Sequence, residues 1–239
     1  MSEADALFGL PYVPPDRTVA YGPHPSQVVD LYGPRRAAAR VTLLHGGFWR
    51  EAYDRRHLAP LAAALADEGL SVALTEYRRV GGDGGWPATF DDVLAAVRTA
   101  AGTARRHVVA GHSAGGHLAL LVAAHTTAVD GVVAVAPVAD LARARTLGLS
   151  ADAVTAFVRA ADEARADPMR LPPPRVPVTL LHGTCDPEVP PGFSEAYARR
   201  VPSAAFRPLP GTGHYAPVTP GTRAYTALLA AVRDHAGRA

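Results

Sequence analysis

The stretch VVAGHSAGGH, from Val108 to His117, carries the residues of this chain best suited to nucleophilic chemistry. It contains the pattern Gly-x-Ser-x-Gly, with Ser113 between Gly111 and Gly115. In this pattern the serine lies on a sharp turn between a strand and a helix, and small neighbouring residues let the backbone pass without collision. A strand pattern precedes Ser113 and a helical pattern follows it. We therefore predict that Ser113 is a nucleophile presented at the carboxyl edge of a sheet.

A serine hydroxyl is a weak nucleophile and needs a base, usually a histidine that a carboxylate orients. His214, in the segment GTGHYAP, is the predicted base because it follows the serine and the acid candidates along the chain. Asp186, in LLHGTCDPEVP, comes shortly after a buried strand pattern and is the favoured acid. Asp140 and then Glu188 are the alternatives, since an Asp-Pro pair that only forms a turn would also explain Asp186.

Acyl transfer also requires donors for the negative charge that develops on oxygen. The segment HGGFWR follows a strand pattern, and we predict an oxyanion hole from the backbone N–H groups of Gly47 and Phe48, joined by that of Ala114. Phe48, Trp49 and Tyr215 are predicted to line the substrate pocket. For Phe48 and Trp49 the alternative is that either ring fills the core.

The hexapeptide VTLLHG occurs twice, at residues 41–46 and 178–183. Nothing between the copies repeats, so we interpret them as two buried strands of one sheet that end at the same edge. His45 and His182 are then hydrogen-bonded residues at strand ends, since no ligand stands at zinc spacing from either. Cys185, the only cysteine, is expected to be a buried structural thiol.

The positioning elements follow from hydrophobic periodicity. Short apolar runs alternate with helical patterns, which indicates a mostly parallel sheet covered by helices on both faces. The residues from 140 to 167 lie between two strand patterns and are either a small helical cap or an ordinary crossover. Eight strands are predicted, near residues 18–21, 27–32, 41–44, 71–75, 107–110, 131–136, 178–181 and 204–208.

Length and composition fit one domain over residues 1–239. The formal net charge is +2 and the arginines are scattered, which argues against nucleic acid or a membrane surface as a partner. All 24 basic residues are arginine, so lysine chemistry is excluded. No signal-peptide or membrane-span pattern is present, and a cytoplasmic location is expected.

Together HGGFW, the EYR that begins at Glu76, GHSAGGH, HGTCD and GTGH resemble the α/β-hydrolase superfamily, in its branch of small carboxylesterases and arylformamidases. The resemblance spans residues 27–235. It implies an α/β-hydrolase fold with an eight-stranded sheet and a small cap, a triad of Ser113, Asp186 and His214, an oxyanion hole from the HGG loop, and no metal or organic cofactor.

The expected function is that of a serine hydrolase that cleaves a small ester or aryl (form)amide through an acyl-enzyme. Fold and triad do not choose the acceptor, so an aminopeptidase or acyltransferase on the same scaffold is the first alternative. A non-catalytic protein that keeps the hydrolase pocket to bind a ligand is the second.

Overall fold

The sheet and its strands can be compared directly with the sequence patterns. The computed structural model describes residues 2–102 and 104–237. In chain order the strands are β1 (Arg17–Ala20), β2 (Val28–Tyr32), β3 (Ala39–Leu44), β4 (Ser71–Thr75), β5 (Arg106–His112), β6 (Gly131–Val135), β7 (Val178–Gly183) and β8 (Ala205–Leu209). They form one sheet in the order β1-β2-β4-β3-β5-β6-β7-β8.

The sheet is antiparallel at one edge and parallel elsewhere. β2 pairs antiparallel with both β1 and β4, whereas the pairs from β4 through β3, β5, β6 and β7 to β8 are parallel. The predicted eight-stranded, mostly parallel sheet is therefore confirmed. The two VTLLHG copies fall on β3 and β7, with β5 and β6 between them, so they are two strands of one sheet whose carboxyl ends share an edge.

Helices cover both faces because the inner strands are rich in valine and leucine on both sides. One apolar core contains residues of the helices at Ala88–Ala101, Ala114–His125 and Gly192–Arg200, and the other contains residues of the helices at Glu3–Phe8, Ala59–Asp67 and Arg223–Ala236. No helix in the described part of the chain is both long and apolar enough to cross a membrane. The helices are α1 (Glu3–Phe8), α2 (Ala59–Asp67), α3 (Ala88–Ala101), α4 (Ala114–His125), α5 (Leu141–Thr146), α6 (Ala153–Phe157), α7 (Glu163–Ala166), α8 (Gly192–Arg200) and α9 (Arg223–Ala236).

The segment between β6 and β7 folds into α5, α6 and α7, followed by a 3₁₀ turn at Pro168–Arg170. It packs against the loop that follows β3. The Phe157 ring of α6 stacks on Trp49 with centroids 4.6 Å apart, and the Arg50 guanidinium donates to the carbonyl oxygens of Ser150 and Ala151 at 2.6 and 2.8 Å. A role for this segment as a cap over substrate stays a prediction.

Candidate active site

Ser113 occupies the turn between β5 and α4. Its backbone has φ 55° and ψ −118°, an unusual conformation for a residue with a side chain that is typically retained at functional sites. A Cβ atom at Gly111 would collide with the carbonyl oxygen of Gly115, and one at Gly115 with the carbonyl oxygens of Leu44 and His45. Glycine at these positions is therefore a steric requirement of the turn, as the Gly-x-Ser-x-Gly pattern predicts.

His214 and Asp186 form a hydrogen-bonded pair at the same edge of the sheet. The distance from His214 Nδ1 to Asp186 Oδ2 is 2.6 Å, and Asp186 Oδ1 accepts the backbone N–H groups of Glu188 and Val189 at 2.8 and 2.9 Å. Because Nδ1–H donates to the carboxylate, Nε2 of His214 carries the lone pair and is able to accept a proton. His214 is thus arranged as a base.

The carboxylate of Asp186 is held as an anion. Burial by itself would raise the pKa of Asp186, but hydrogen bonds from His182 and His214 outweigh it and keep that pKa well below its ordinary value. His182 Nε2 lies 3.3 Å from Asp186 Oδ2 and 2.8 Å from the carbonyl oxygen of Val189, and its Nδ1 lies 2.7 Å from the Ser194 hydroxyl. His182 is therefore a buried, hydrogen-bonded strand-end residue, as predicted, and it also contacts the acid.

His112 supports His214 from the side of β5. Its Nε2–H donates to the carbonyl oxygen of His214 at 3.0 Å, and the two rings are 4.5 Å apart between centroids. Burial, and then the neighbouring His214, lower the pKa of His112 well below its ordinary value. The ring is therefore neutral, which keeps a second positive charge away from the base.

The loop after β3 lies directly against the serine. A Cβ atom at Gly46 would stand 3.1 Å from the Cβ of Ser113. Gly47 and Phe48 both have positive φ, at 107° and 56°. Within the described residues the backbone N–H groups of Gly47, Phe48 and Ala114 donate no backbone hydrogen bond, so they are available to a bound group.

Below this loop, buried charged groups hold His45 in place. His45 Nε2 lies 2.9 Å from Glu76 Oε1, and the Tyr77 hydroxyl donates to the carbonyl oxygen of His45 at 2.6 Å. Arg79 and Arg55 contact the same Glu76 carboxylate. His45 is thus hydrogen-bonded at its strand end, as predicted, and the EYR segment that begins at Glu76 anchors the start of the HGG loop.

A small cavity of about 110 Å³ joins these elements. Ser113 and His214 both line it, and no hydrogen bond joins the Ser113 hydroxyl to His214 in the described part of the chain. Such contacts are often long in a free enzyme and shorten when substrate binds. The complete lining consists of Phe8, Gly46, Gly47, Phe48, Tyr53, His57, His112, Ser113, His214 and Tyr215.

The three predicted pocket aromatics have two different environments. Phe48 and Tyr215 line the cavity. Trp49 does not: it is 2% exposed, stacked on Phe157 and edge-on to His117 at 5.1 Å. The prediction that Trp49 contacts substrate is corrected accordingly, because α6 supplies an aromatic partner that draws the ring into the core.

The alternative acids and the cysteine also have defined positions. Asp140 Oδ1 accepts the backbone N–H of Arg143 at 2.8 Å and caps α5, so its carboxylate serves a helix rather than His214. Glu188 contributes its backbone N–H to Asp186. Cys185 is exposed, contrary to the expectation of a buried thiol, because Asp186 is the residue of this turn that faces inward.

Sequence reasoning missed several residues of the site. Phe8, Tyr53 and His57 line the cavity but belong to no motif. Glu3 accepts hydrogen bonds from the loop that carries His214, although it lies near the opposite end of the chain. No local pattern marks these residues, and only their place in the fold identifies them.

Comparisons with known proteins identify a family and a shared fold. A family model described as BD-FAE matches residues 29–201, whereas no curated protein matches the chain. A truncated form of a carbohydrate esterase from gut microbiota has a similar structure, with a TM-score of 0.77, 18% identity, and coverage of 94% of this chain and 97% of that one. Esterase B from Lactobacillus Rhamnosis (HN001) has a TM-score of 0.79 and 20% identity, with coverage of 97% of this chain and 89% of that one. A Pyrobaculum calidifontis esterase has a TM-score of 0.75 and 20% identity, with coverage of 98% of this chain and 90% of that one.

At these identities the solved structures show a shared fold, and they confirm the predicted α/β-hydrolase architecture. The comparisons do not point to the arylformamidase branch in particular.

Proposed function

The chain belongs to the BD-FAE family, and on that premise we propose that it is a serine esterase that cleaves a small carboxylic ester through an acyl-enzyme. The observation that carries the proposal is the pair of His214 Nδ1 and Asp186 Oδ2, 2.6 Å apart, beside a cavity that Ser113 also lines. A base, its orienting carboxylate and a serine on a strained turn are the components of nucleophilic acyl transfer.

In the proposed reaction the Ser113 hydroxyl oxygen attacks the ester carbonyl carbon while its proton passes to Nε2 of His214. The imidazolium that forms is stabilised by the Asp186 carboxylate. When the bond to the leaving oxygen breaks, His214 returns the proton to that oxygen and the alcohol departs. A water molecule then attacks the acyl-enzyme by the same route, which releases the carboxylic acid and restores Ser113.

The oxyanion is assigned to the backbone N–H groups of Gly47, Phe48 and Ala114. Within the described residues no backbone acceptor takes these N–H groups, so they are available to a substrate carbonyl oxygen. Ala114 is also the first residue of α4, so the positive end of that helix dipole lies beside the developing charge. Donors that are in place before the reaction lower the barrier without reorganising.

The cavity favours a small acyl group. Its volume is about 110 Å³, below the ~150 Å³ of a protein cavity that holds benzene, so acetyl or formyl fits better than an aromatic acyl group. A neighbouring cavity of about 390 Å³ shares Phe8 and His57 with it. We assign that space to the leaving group, and its aromatic and apolar walls favour an aryl ester or an aryl formamide.

The lining argues against an aminopeptidase. No described residue of the catalytic cavity is an aspartate or glutamate, so a substrate ammonium group would have no carboxylate partner there. The same lining is compatible with an acyltransferase, which product analysis in the presence of an added alcohol or amine distinguishes from a hydrolase.

The test is turnover of p-nitrophenyl acetate, longer p-nitrophenyl esters and N-formyl aryl amines by the wild-type protein. We expect the acetyl or formyl compounds to give the highest kcat/KM, and activity to fall as the acyl chain lengthens. Absence of turnover together with tight, saturable binding of these compounds would support a binding protein instead.

Asp186→Asn and Asp140→Asn form a matched pair for the acid. Asp186→Asn is expected to lower turnover by roughly three to four orders of magnitude, because the histidine loses its orientation and tautomer. Asp140→Asn keeps an oxygen that can cap α5 and is expected to leave turnover close to wild type. Equal losses in the two variants would remove the evidence that Asp186 is the acid.

A further inference from the structure

The helix that precedes the sheet, α1, is fixed to the body of the protein near the active site. Leu7 inserts into the core and is 1% exposed. At the start of the helix Ser2 and Asp5 form a reciprocal capping box, in which each side chain accepts the backbone N–H of the other, at 3.0 and 3.1 Å. The buried Leu7 therefore keeps Glu3 and Phe8 next to the catalytic loop, and the capping box adds stability to the first turn.

The carboxylate of Glu3 accepts three backbone hydrogen bonds from the residues that flank His214. Oε1 accepts the N–H of Gly213 at 2.8 Å. Oε2 accepts the N–H groups of Tyr215 and Ala216 at 3.0 and 2.9 Å. A Cβ atom at Gly213 would lie 2.8 Å from Oε2, so glycine at that position is what allows the carboxylate to come this close.

The remaining contacts of His214 come from other directions. Asp186 holds the ring through Nδ1, and His112 holds the backbone carbonyl. The carbonyl oxygen of His214 and the N–H of Tyr215 belong to one peptide group, so His112 and Glu3 hold that group from its two ends. Bonds to a charged acceptor are stronger than bonds between neutral groups, so Glu3 adds a strong restraint on the loop that carries His214.

We propose that Glu3 is a positioning residue for His214, which makes α1 part of the active site. The inference rests on the proposed function for its kinetic consequences, and on geometry alone for the position of the His214 ring. The segment that supplies Glu3 lies outside residues 29–201, which match the family model. The proposal therefore assigns a positioning role to a segment that the family match does not cover.

The two contributions of α1 predict different kinetic effects. Phe8 lines the cavity, so loosening the helix as a whole is expected to raise KM. Loss of the Glu3 carboxylate instead misplaces the base, and displacement of a catalytic group by about 1 Å can cost roughly 100-fold in rate. Glu3→Ala is therefore expected to lower kcat by roughly 10- to 100-fold, with a smaller change in KM.

Glu3→Ala, Glu3→Gln and the control Ser2→Ala should be compared with wild type. Ser2→Ala breaks the capping box, and within the described residues no hydrogen bond joins Ser2 to the His214 loop. The measurements are kcat and KM for p-nitrophenyl acetate, and the downfield proton resonance of His214 Nδ1–H, which reports its hydrogen bond to Asp186. Thermal unfolding shows which variants are folded.

We expect the kcat loss to be largest in Glu3→Ala and smaller in Glu3→Gln, whose amide oxygen still accepts. The His214 resonance should shift or broaden in both, and stay at its wild-type position in Ser2→Ala. If folded Glu3→Ala matches Ser2→Ala in kcat and in this resonance, Glu3 is a structural residue and the proposal is overturned. If the wild type has no esterase turnover, the proposed function fails, whereas the resonance still decides whether Glu3 positions His214.

Discussion

Acidification is expected to weaken the folded state, because several histidines are buried as neutral rings, and three of them have a ring nitrogen without a partner among the described residues. His107, His112 and His117 are 4%, 3% and 0% exposed. In each ring Nε2 makes a hydrogen bond, with Thr42, His214 and Ala166 respectively, while Nδ1 is buried with no partner among the described residues. Protonation would place a second N–H, with a positive charge, in each of these unpartnered positions.

The sign and size of this change in stability follow from the pKa values of the three histidines. Burial lowers the pKa of His107 and His117 to about 4, and that of His112 well below its ordinary value, against about 6.5 in the unfolded chain. As pH falls below 6.5 the unfolded state therefore binds protons that the folded state does not. Between pH 7.5 and 5.5 each ring loses about 1.4 kcal/mol of stabilisation, or about 4 kcal/mol for the three.

Thermal and urea unfolding at pH 7.5, 6.5 and 5.5 measures this loss. For a chain of this size about 4 kcal/mol corresponds to a fall in Tm of roughly 8 to 16 °C. His107→Gln keeps a side-chain donor near Thr42 but removes one titrating group, so its loss between pH 7.5 and 5.5 should be smaller by about 1.4 kcal/mol. A Tm that stays constant over this range, or a His107→Gln variant with the wild-type pH dependence, would refute the reasoning.

Two further predictions concern the nucleophile turn and the aromatic residues after β3. Gly115→Ala forces a Cβ against backbone carbonyl oxygens and is expected to destabilise the fold by about 1–3 kcal/mol or more, measured by urea unfolding. Gly221→Ala, where φ is 82° but nothing lies within 4 Å of the added Cβ, should cost only about 1 kcal/mol of backbone strain, and equal losses would contradict the steric argument. Trp49→Ala should lower the free energy of unfolding by about 3–5 kcal/mol. Phe48→Ala should instead raise KM and have little effect on the free energy of unfolding. The reverse pattern would contradict the assignment of Trp49 to the core.

The nucleophile turn was predictable from sequence because it is local. Ser113, the two glycines around it, the strand before it and the helix after it all fall within one short segment, and the backbone of that segment decides the geometry. The strands were predictable for a similar reason, since their apolar runs must be buried wherever they pair.

The choice of acid was not local. Asp140 and Asp186 both follow parallel strands at the same edge, and the sequence does not show which carboxylate turns toward His214. In the structure Asp140 is taken up as the cap of α5, whereas the turn after β7 directs Asp186 inward. Trp49 depends in the same way on Phe157, and Glu3 on a loop near the other end of the chain. These contacts are created by the fold and leave no mark in the adjacent sequence.

The most direct test of the proposed chemistry is to locate a fluorophosphonate label by peptide mass spectrometry. Cleavage after arginine releases residues 107–143 as one peptide, and Ser113 is its only serine. We predict that the wild-type protein carries one label, on this peptide at Ser113, and that Ser113→Ala is not labelled. A label on another peptide, or undiminished labelling of Ser113→Ala, would contradict the assignment of Ser113 as the nucleophile.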